Sequence, residues 1–522
     1  MSRFDKNAFL YATIVAMGGF IFGLDAALIA GTVDFITAEF ALTALQIGNV
    51  VSAPALGVLI ALPFAGFITN RFGRKRTIQL IAILYLVSAV TSAIAPSYWT
   101  LVVARFLGGL AFTSIALASM YIGEIAPPKW RGKLVSMTQI NIVVGLSGAY
   151  FINYLIHHWA GTGADWVRTL GIDEYTWRWM LGSEILPAAI WLGLLSMIPE
   201  SPAWLTNCGR IEEAKASLKK IMPADEIDKH VDEMQESIRE TTQDRSVLAQ
   251  MKEIFGKPMR LIFIIAFTIA IAQQATGINA ILFYAQTVFK QLGLGVDAAF
   301  SQAIWVGITS VVFTILGLVL VDRLGRRPLI IWGMVWIIAS LGLCSYVFNE
   351  ARYVLTAEAV SEMTEISEVE RLNALVGVEY ESDIAFKDAI RETLGAADEQ
   401  AHQSLLLEKA IKMNATLVLL GILSFIGAFH FSVGPVMWVL FSEIFPISVR
   451  AIAIPFFTIV TSFTNYVVQK FFPWQLENMG MSTIFLFYAG TVAVGLVILF
   501  FTLKETKNMS IEEIQLALIS KK

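Results

Sequence analysis

Asp25 stands alone among apolar neighbours, between Leu24 and the run Ala26 to Ala30, in a stretch from Phe9 to about Ile36 that is long enough to cross a bilayer. A charged carboxyl in the middle of such a segment costs roughly 2.5–3.5 kcal/mol even on the lenient insertion scale, so it needs either a partner or a proton. Arg105, in Ala104-Arg105-Phe106-Leu107-Gly108-Gly109, is the candidate partner. An acid whose hold on a proton depends on how near a guanidinium lies can exchange that proton when the guanidinium moves. The alternative is a fixed ion pair with no coupling role.

A second group is neutral. Gln273 and Gln274 are adjacent and Asn279 follows six positions after Gln273, so the three amides cover a broad arc of a helix rather than one stripe. Gly277 lets the backbone loosen between them. Amides donate and accept at once, which suits a hydroxyl-rich ligand, and an aromatic ring suits the apolar face of a pyranose. Hydrogen bonding between neighbouring spans is the competing use of such residues. A third group places both signs of charge at the ends of apolar segments: Arg71, Arg74, Glu124 and Arg131, and again Arg323, Arg326, Glu443 and Arg450. Ion pairs there that form in one conformation and part in another could bias an equilibrium by a few kcal/mol. The plainer reading is retention of basic loops on the cytoplasmic side.

The elements that must position these groups follow from composition. The chain has 522 residues, 56% hydrophobic and only 15% charged, too much apolar surface for a water-soluble core. Six apolar runs end near residue 198 and six more lie between residues 260 and 503, which predicts twelve transmembrane helices with both termini cytoplasmic. No small-residue cleavage site follows the first run, so it reads as a retained span. Residues 203–257 are mixed in charge and read as short cytoplasmic helices. Residues 350–409 hold 14 acidic and 5 basic side chains, so a segment of net charge −9 sits between the ninth and tenth spans and, by the count of crossings, faces out. Cys208 and Cys344 have neither disulfide-framework nor metal-ligand spacing. There is no GxxxxGK[ST], HExxH or GxSxG, and no basic and aromatic surface for nucleic acid, so no enzyme, ATP-driven pump or nucleic-acid binder is indicated.

The chain also repeats itself. Asn70-Arg71-Phe72-Gly73-Arg74 is echoed by Asp322-Arg323-Leu324-Gly325-Arg326, 252 positions on. Tyr121-Ile122-Gly123-Glu124 through Arg131 is echoed by Phe441-Ser442-Glu443 through Arg450, 319 positions on. The offset grows by 67 across the interval that holds the acidic stretch, which marks that stretch as an insertion into a duplicated six-helix unit.

These motifs, with Trp177-Arg178-Trp179-Met180, Pro199-Glu200-Ser201-Pro202, Gln273-Gln274-Ala275-Thr276-Gly277-Ile278-Asn279 and Gly434-Pro435-Val436-Met437-Trp438, resemble the sugar porters of the major facilitator superfamily, both proton-coupled and facilitative members. The resemblance covers the chain except for residues 350–411. It implies an all-α membrane protein of two six-helix bundles, 1–202 and 258–522, joined by linker helices at 203–257. It implies that Asp25 and Arg105 carry proton coupling, and that Glu200 and Glu505 complete a cytoplasmic gate with the eight charges above. It places sugar contacts at Phe22, Gln139, Gln273, Gln274, Asn279, Tyr284, Trp438 and Asn465, with His430 where facilitators have a sugar-contacting Glu. Several positions depart from the family pattern: Asn70 for Asp, Ala203 for Arg, Leu146 for a second Gln, Ser310 for Asn, and Thr461-Ser462 for an amide-Trp pair. The first two suggest a gate that closes unevenly. The expected function is a monomeric proton-coupled monosaccharide symporter in a cell or inner membrane, with a proton as coupling ion and no other cofactor. An uncoupled uniporter, or a sensor that binds sugar without moving it, are the alternatives.

Overall fold

The computed structural model describes residues 3–127, 129–241, 247–363, 366, 368–507, 509, 513–514 and 518; residues 242–246 of the expected linker and the final residues of the C-terminal tail lie outside the described residues. Among the described residues, eleven helices are long and apolar enough to cross a membrane. They are Arg3–Gly31, Ala44–Phe72, Arg74–Ala93, Tyr98–Ile125 and Arg131–Ala160 in the first half of the chain, and Lys257–Phe283, Val296–Leu324, Arg326–Asn349, Ala415–Ile444, Ile452–Asn478 and Gly480–Thr502 in the second. The expected sixth span is present as two short helices, Thr176–Gly182 and Ile185–Leu194, parted by a turn at Ser183 and Glu184. Counted in chain order, these are spans one to twelve.

Side-chain chemistry sets the helix ends and breaks. Thr43 and Gln46 cap the second span reciprocally, and the Ser97 hydroxyl accepts the Thr100 N–H at the start of the fourth. The seventh span runs as Arg260–Gln274, breaks at Gly277 in the left-handed region (φ 77°), and continues as Ile278–Phe283 and Ala285–Lys290. The loosening expected at Gly277 is therefore a real break. The tenth span breaks at Ser432, between Ala415–Phe431 and Val433–Ile444.

Within the first half, the first span packs on the fifth, and the fourth on the second and third; within the second, the ninth packs on the tenth and twelfth, and the seventh on the eleventh and twelfth. The halves meet mainly through the second span against the eleventh and the fifth against the eighth. These contacts gather at the end of the molecule remote from the basic loops. Asp34 pairs with Lys290 there, His157 Nε2 lies 2.8 Å from Asp297 Oδ1, and the Tyr150 hydroxyl donates to the Leu282 carbonyl at 2.5 Å. At the basic end, among the described residues, no salt bridge joins the two halves.

The acidic stretch folds as a small unit with its own core, built around Tyr353, Leu355, Phe386, Ile390 and Leu407. Besides the expected helical texture, at Asp383–Leu394 and Ala396–Ala410, it holds a three-stranded antiparallel sheet. The central strand β1, Arg352–Val354, sets Tyr353 opposite Tyr380 of β2, Glu379–Tyr380, and opposite Ile411 of β3, Ile411–Lys412. The strands are too short to show as a period-2 pattern, so an all-α expectation passes over them.

At Gly48 the halves approach closely, since a Cβ built there would sit 2.0 Å from the Lys470 carbonyl oxygen. Gly48→Trp is expected to wedge the halves apart at this end. Spin labels on the second and eleventh spans should then separate by several ångström, and an unchanged distance would contradict the closed contact.

Candidate functional site

The first, fourth and sixth spans bring three ionisable groups together out of water. Arg105 Nη1 donates to Asp25 Oδ1 at 2.6 Å and approaches the Asp25 backbone carbonyl at 3.3 Å. Both side chains are buried, at 3% and 2% exposure. Asp25 Oδ2 and Arg105 Nε have no protein partner. Glu184, at the break in the sixth span, is equally buried and lies against both, and its Oε1 is also unpartnered. Two carboxyls share one guanidinium, and a second uncompensated charge in so dry a place would cost several kcal/mol. The cluster balances when it holds one proton. Phe22, one turn before Asp25, meets Phe112 edge-on with centroids 4.4 Å apart.

Amides line the seventh and eleventh spans in a continuous relay. Gln273 Nε2 donates to the Gly434 carbonyl at 3.1 Å, and its Oε1 accepts from Gln274 Nε2 at 3.1 Å. Gln274 Oε1 accepts from Asn279 Nδ2 at 2.8 Å, and the same nitrogen donates to Asn465 Oδ1 at 2.7 Å. Gln469 Nε2 closes the relay on Asn465 Oδ1 at 2.6 Å. The Gly277 break turns Asn279 back toward Gln274, which an unbroken helix would not do for residues five positions apart. Gln139, partly exposed on the fifth span, makes no side-chain hydrogen bond among the described residues, and Trp438 is 37% exposed on the tenth. The other two expected contacts sit apart from the relay. The Tyr284 hydroxyl donates to the Gln469 carbonyl at 3.0 Å inside the helix contact, and His430 Nδ1 meets Thr314 Oγ1 at 3.2 Å with Nε2 unpartnered.

At the basic end each half carries the same charge network. Arg74 pairs with Glu124 at 2.9 Å and Arg326 with Glu443 at 2.7 Å. Glu200 Oε1 accepts the backbone N–H groups of Arg74 and Lys75, both at 2.9 Å; Glu505 accepts those of Arg326 and Arg327 at 3.0 and 3.1 Å. A carboxylate on the first amides of a helix is favoured by both hydrogen bonding and the helix dipole. Ser201 donates to Glu124, and Thr506 to Glu443 at 2.6 Å. Even the departure at Asn70 is absorbed: its Oδ1 accepts from Arg74 at 3.2 Å, where Asp322 pairs with Arg326 at 3.1 Å. The uneven gate inferred from Asn70 and Ala203 is thus not what the geometry shows. The structure does not bring Arg71, Arg131 and Arg323 into these networks, because their side chains point to solvent. Arg450 donates to the Phe445 carbonyl instead of to a carboxylate.

The profile of the family described as "Sugar (and other) transporter" matches residues 11–361 and 400–518. The chain belongs to this sugar-transporter family of the major facilitator superfamily. It is 30% identical to the D-xylose-proton symporter of Escherichia coli across 98% of this chain and 96% of that one. It is 27% identical to the arabinose-proton symporter of Bacillus subtilis, across 97% and 94%. Among solved structures it resembles the inward-open xylose transporter XylE from E. coli, with 27% identity, a TM-score of 0.72, and coverage of 98% of this chain and all of that one. As a sugar transporter it was legible from its motifs, yet four residues of its candidate site were not. Glu184 is the only acid between residues 175 and 199, a signal as plain as that of Asp25. Gln469 lies one helical turn after Asn465. Ser201 and Thr506 each follow a network glutamate directly, but a hydroxyl next to an acid is too common to stand out.

Gly73 and Gly325 adopt φ 91° and 92° with ψ near 165°, a region open to glycine almost alone. A Cβ there would meet Glu200 Oε2 at 2.4 Å and Glu505 Oε2 at 2.6 Å. Gly73→Ala and Gly325→Ala are each expected to lower stability by about 1–3 kcal/mol. Gly193→Ala, in open space, should be near neutral. Thermal unfolding of the three variants in detergent checks this.

Proposed function

We propose that the chain is a proton-coupled monosaccharide symporter working by alternating access. The observation that carries this reading is the buried Asp25–Arg105 pair with a free carboxyl oxygen and a second acid, Glu184, against it. Such a cluster holds one proton while Arg105 stays in place, and its charge balance changes when the fourth span shifts the guanidinium. The amide relay supplies the sugar site, with Gln139, Gln273, Gln274, Asn279 and Asn465 as hydroxyl partners and Trp438 as the ring platform. Phe22, one turn before Asp25, is the residue that would link the sugar site to the proton cluster. Tyr284 and His430 act in a rearranged state of the site, since both are occupied within the helix packing here.

Positive charge at Arg71, Arg74, Arg323 and Arg326 supports placing the basic end and both termini in the cytoplasm. The insertion then lies outside, and the closed end is the outer one, in keeping with the likeness to an inward-open relative. The two bundles, 1–202 and 258–522, rock about the site with 203–257 as cytoplasmic linker. The matching charge networks brace each bundle's inner end as a unit. Neither nucleic acid, metal nor catalytic chemistry enters this cycle, and one copy of the chain in a cell or inner membrane suffices for it.

Asp25→Asn in proteoliposomes is expected to abolish uphill sugar accumulation driven by an imposed pH gradient while sparing counterflow exchange. Retained uphill uptake would overturn the coupling role. Wild-type uptake that ignores the gradient would favour a uniporter.

A further inference from the structure

The amide relay has a direction. Its first acceptor is a backbone carbonyl, Gly434 O, which cannot donate, so every amide after it is oriented in turn. At the far end Asn465 Oδ1 accepts from both Asn279 and Gln469, so its Nδ2, which has no hydrogen-bond partner among the described residues, is the group left to donate. Gln469 is 2% exposed and its own carbonyl oxygen holds the Tyr284 hydroxyl, so its side chain is fixed beneath Asn465. We propose that Gln469 is a positioning residue that sets which face of Asn465 the sugar meets, and thereby which hydroxyl configuration is preferred. Without Gln469 the Asn465 oxygen keeps only the bond from Asn279, and the amide is held less tightly in the orientation that offers its Nδ2 as a donor.

This inference rests on the sugar-binding reading, and the test separates the two. Full-length wild type, Gln469→Leu and Gln469→Glu at pH 8 are titrated with D-xylose, D-glucose, D-galactose and L-arabinose by calorimetry in nanodiscs. The expected result is a change of about fivefold or more in the ratio of affinities among these sugars, the size of one net hydrogen bond. Q469E keeps the shape of the side chain and loses the donor, so it carries the test if Q469L fails to fold. Equal weakening toward every sugar, or no change, overturns the role of Gln469. Failure of the wild type to bind any of the four overturns the sugar reading instead.

A separate observation concerns the insertion, of which residues 362–399 fall outside the family match. It seats on the outer end of the seventh span. Lys387 is buried and donates to Gln291 Oε1 at 2.9 Å and to Asp383 Oδ2 at 3.3 Å. Ile411 fills the space above Gly293, Glu408 lies over Gly295, and Asp383 lies over Gly480 at the start of the twelfth span. One residue before Gln291, Lys290 makes the ion pair to Asp34 that crosses between the halves. The geometry points to the insertion as a brace that fastens the half-helix Ala285–Lys290 to the twelfth span and holds Lys290 in place for Asp34. By hydrogen exchange of the full chain in nanodiscs, Lys387→Met and Gln291→Leu should each raise exchange across 285–292 about tenfold and leave 260–274 unchanged. Q291L cuts the contact from the span side, so it tests the brace without touching the insertion's core. Faster exchange confined to the insertion, or none, overturns the brace.

Discussion

A guanidinium held out of water must be paired, and the placement of Arg105 constrains much of the first bundle. Losing one partner of a buried pair costs about 3–5 kcal/mol, because the survivor is left charged in a dry place. The fourth span must therefore keep Arg105 against the first, where Asp25 is, and the sixth span, broken at Ser183 and Glu184, brings the second acid to the same point. A pair with one acid would be content as a static brace. Two acids and one base make a site whose neutral state includes a proton, and the proposed coupling role rests on that difference from a simple ion pair.

The two halves are alike where they are independent and unlike where they meet. Each holds its own Arg–Glu pair, its own glutamate over a helix N-terminus and its own hydroxyl bridge, bond for bond. A network contained in one half moves with that half and neither opposes nor drives rocking. In the proposed rocking cycle the bonds that would break are those between halves, which among the described residues include Asp34 with Lys290, His157 with Asp297 and Tyr150 with the Leu282 carbonyl. Partly exposed pairs and single hydrogen bonds are each worth about 1 kcal/mol. Their sum is a few kcal/mol, the right order for an equilibrium that a ligand must be able to tip.

Hydropathy made the spans legible, and the offset between repeats located the insertion, because both depend on residue type alone. The site was legible where a residue type was costly in its setting, as with Asp25 and Arg105, or belonged to a motif, as with Gln273, Gln274 and Asn279. It was not legible where the role depends on which face a helix turns. Arg71 and Arg323 share the basic loops with Arg74 and Arg326, yet only the latter reach a carboxylate. Asn70 and Ala203 suggested asymmetry by identity, whereas Asn70 Oδ1 and the backbone amides at Glu200 do the same work as their counterparts. The sheet in the insertion escaped notice because strands of two and three residues carry no period.

The break at Gly277 ties the two tasks of the seventh span together. Asn279, an amide of the relay, and Leu282, whose carbonyl takes the Tyr150 hydroxyl across the halves, lie on the same short helix, Ile278–Phe283. Tyr284 and Lys290, which hold the eleventh span and Asp34, follow within two further turns. This helix of six residues is set off from its neighbours by the left-handed Gly277 and the turn at Tyr284, so it can be reoriented as a short piece in the proposed cycle. In the proposed cycle, a sugar hydroxyl that takes over one amide bond at Asn279 exchanges one bond for another at little net cost. The same exchange shifts the piece that carries the closure contacts. In that proposal substrate occupancy is linked to closure of the end remote from the basic loops through three residues of covalent chain, with no need for a longer path.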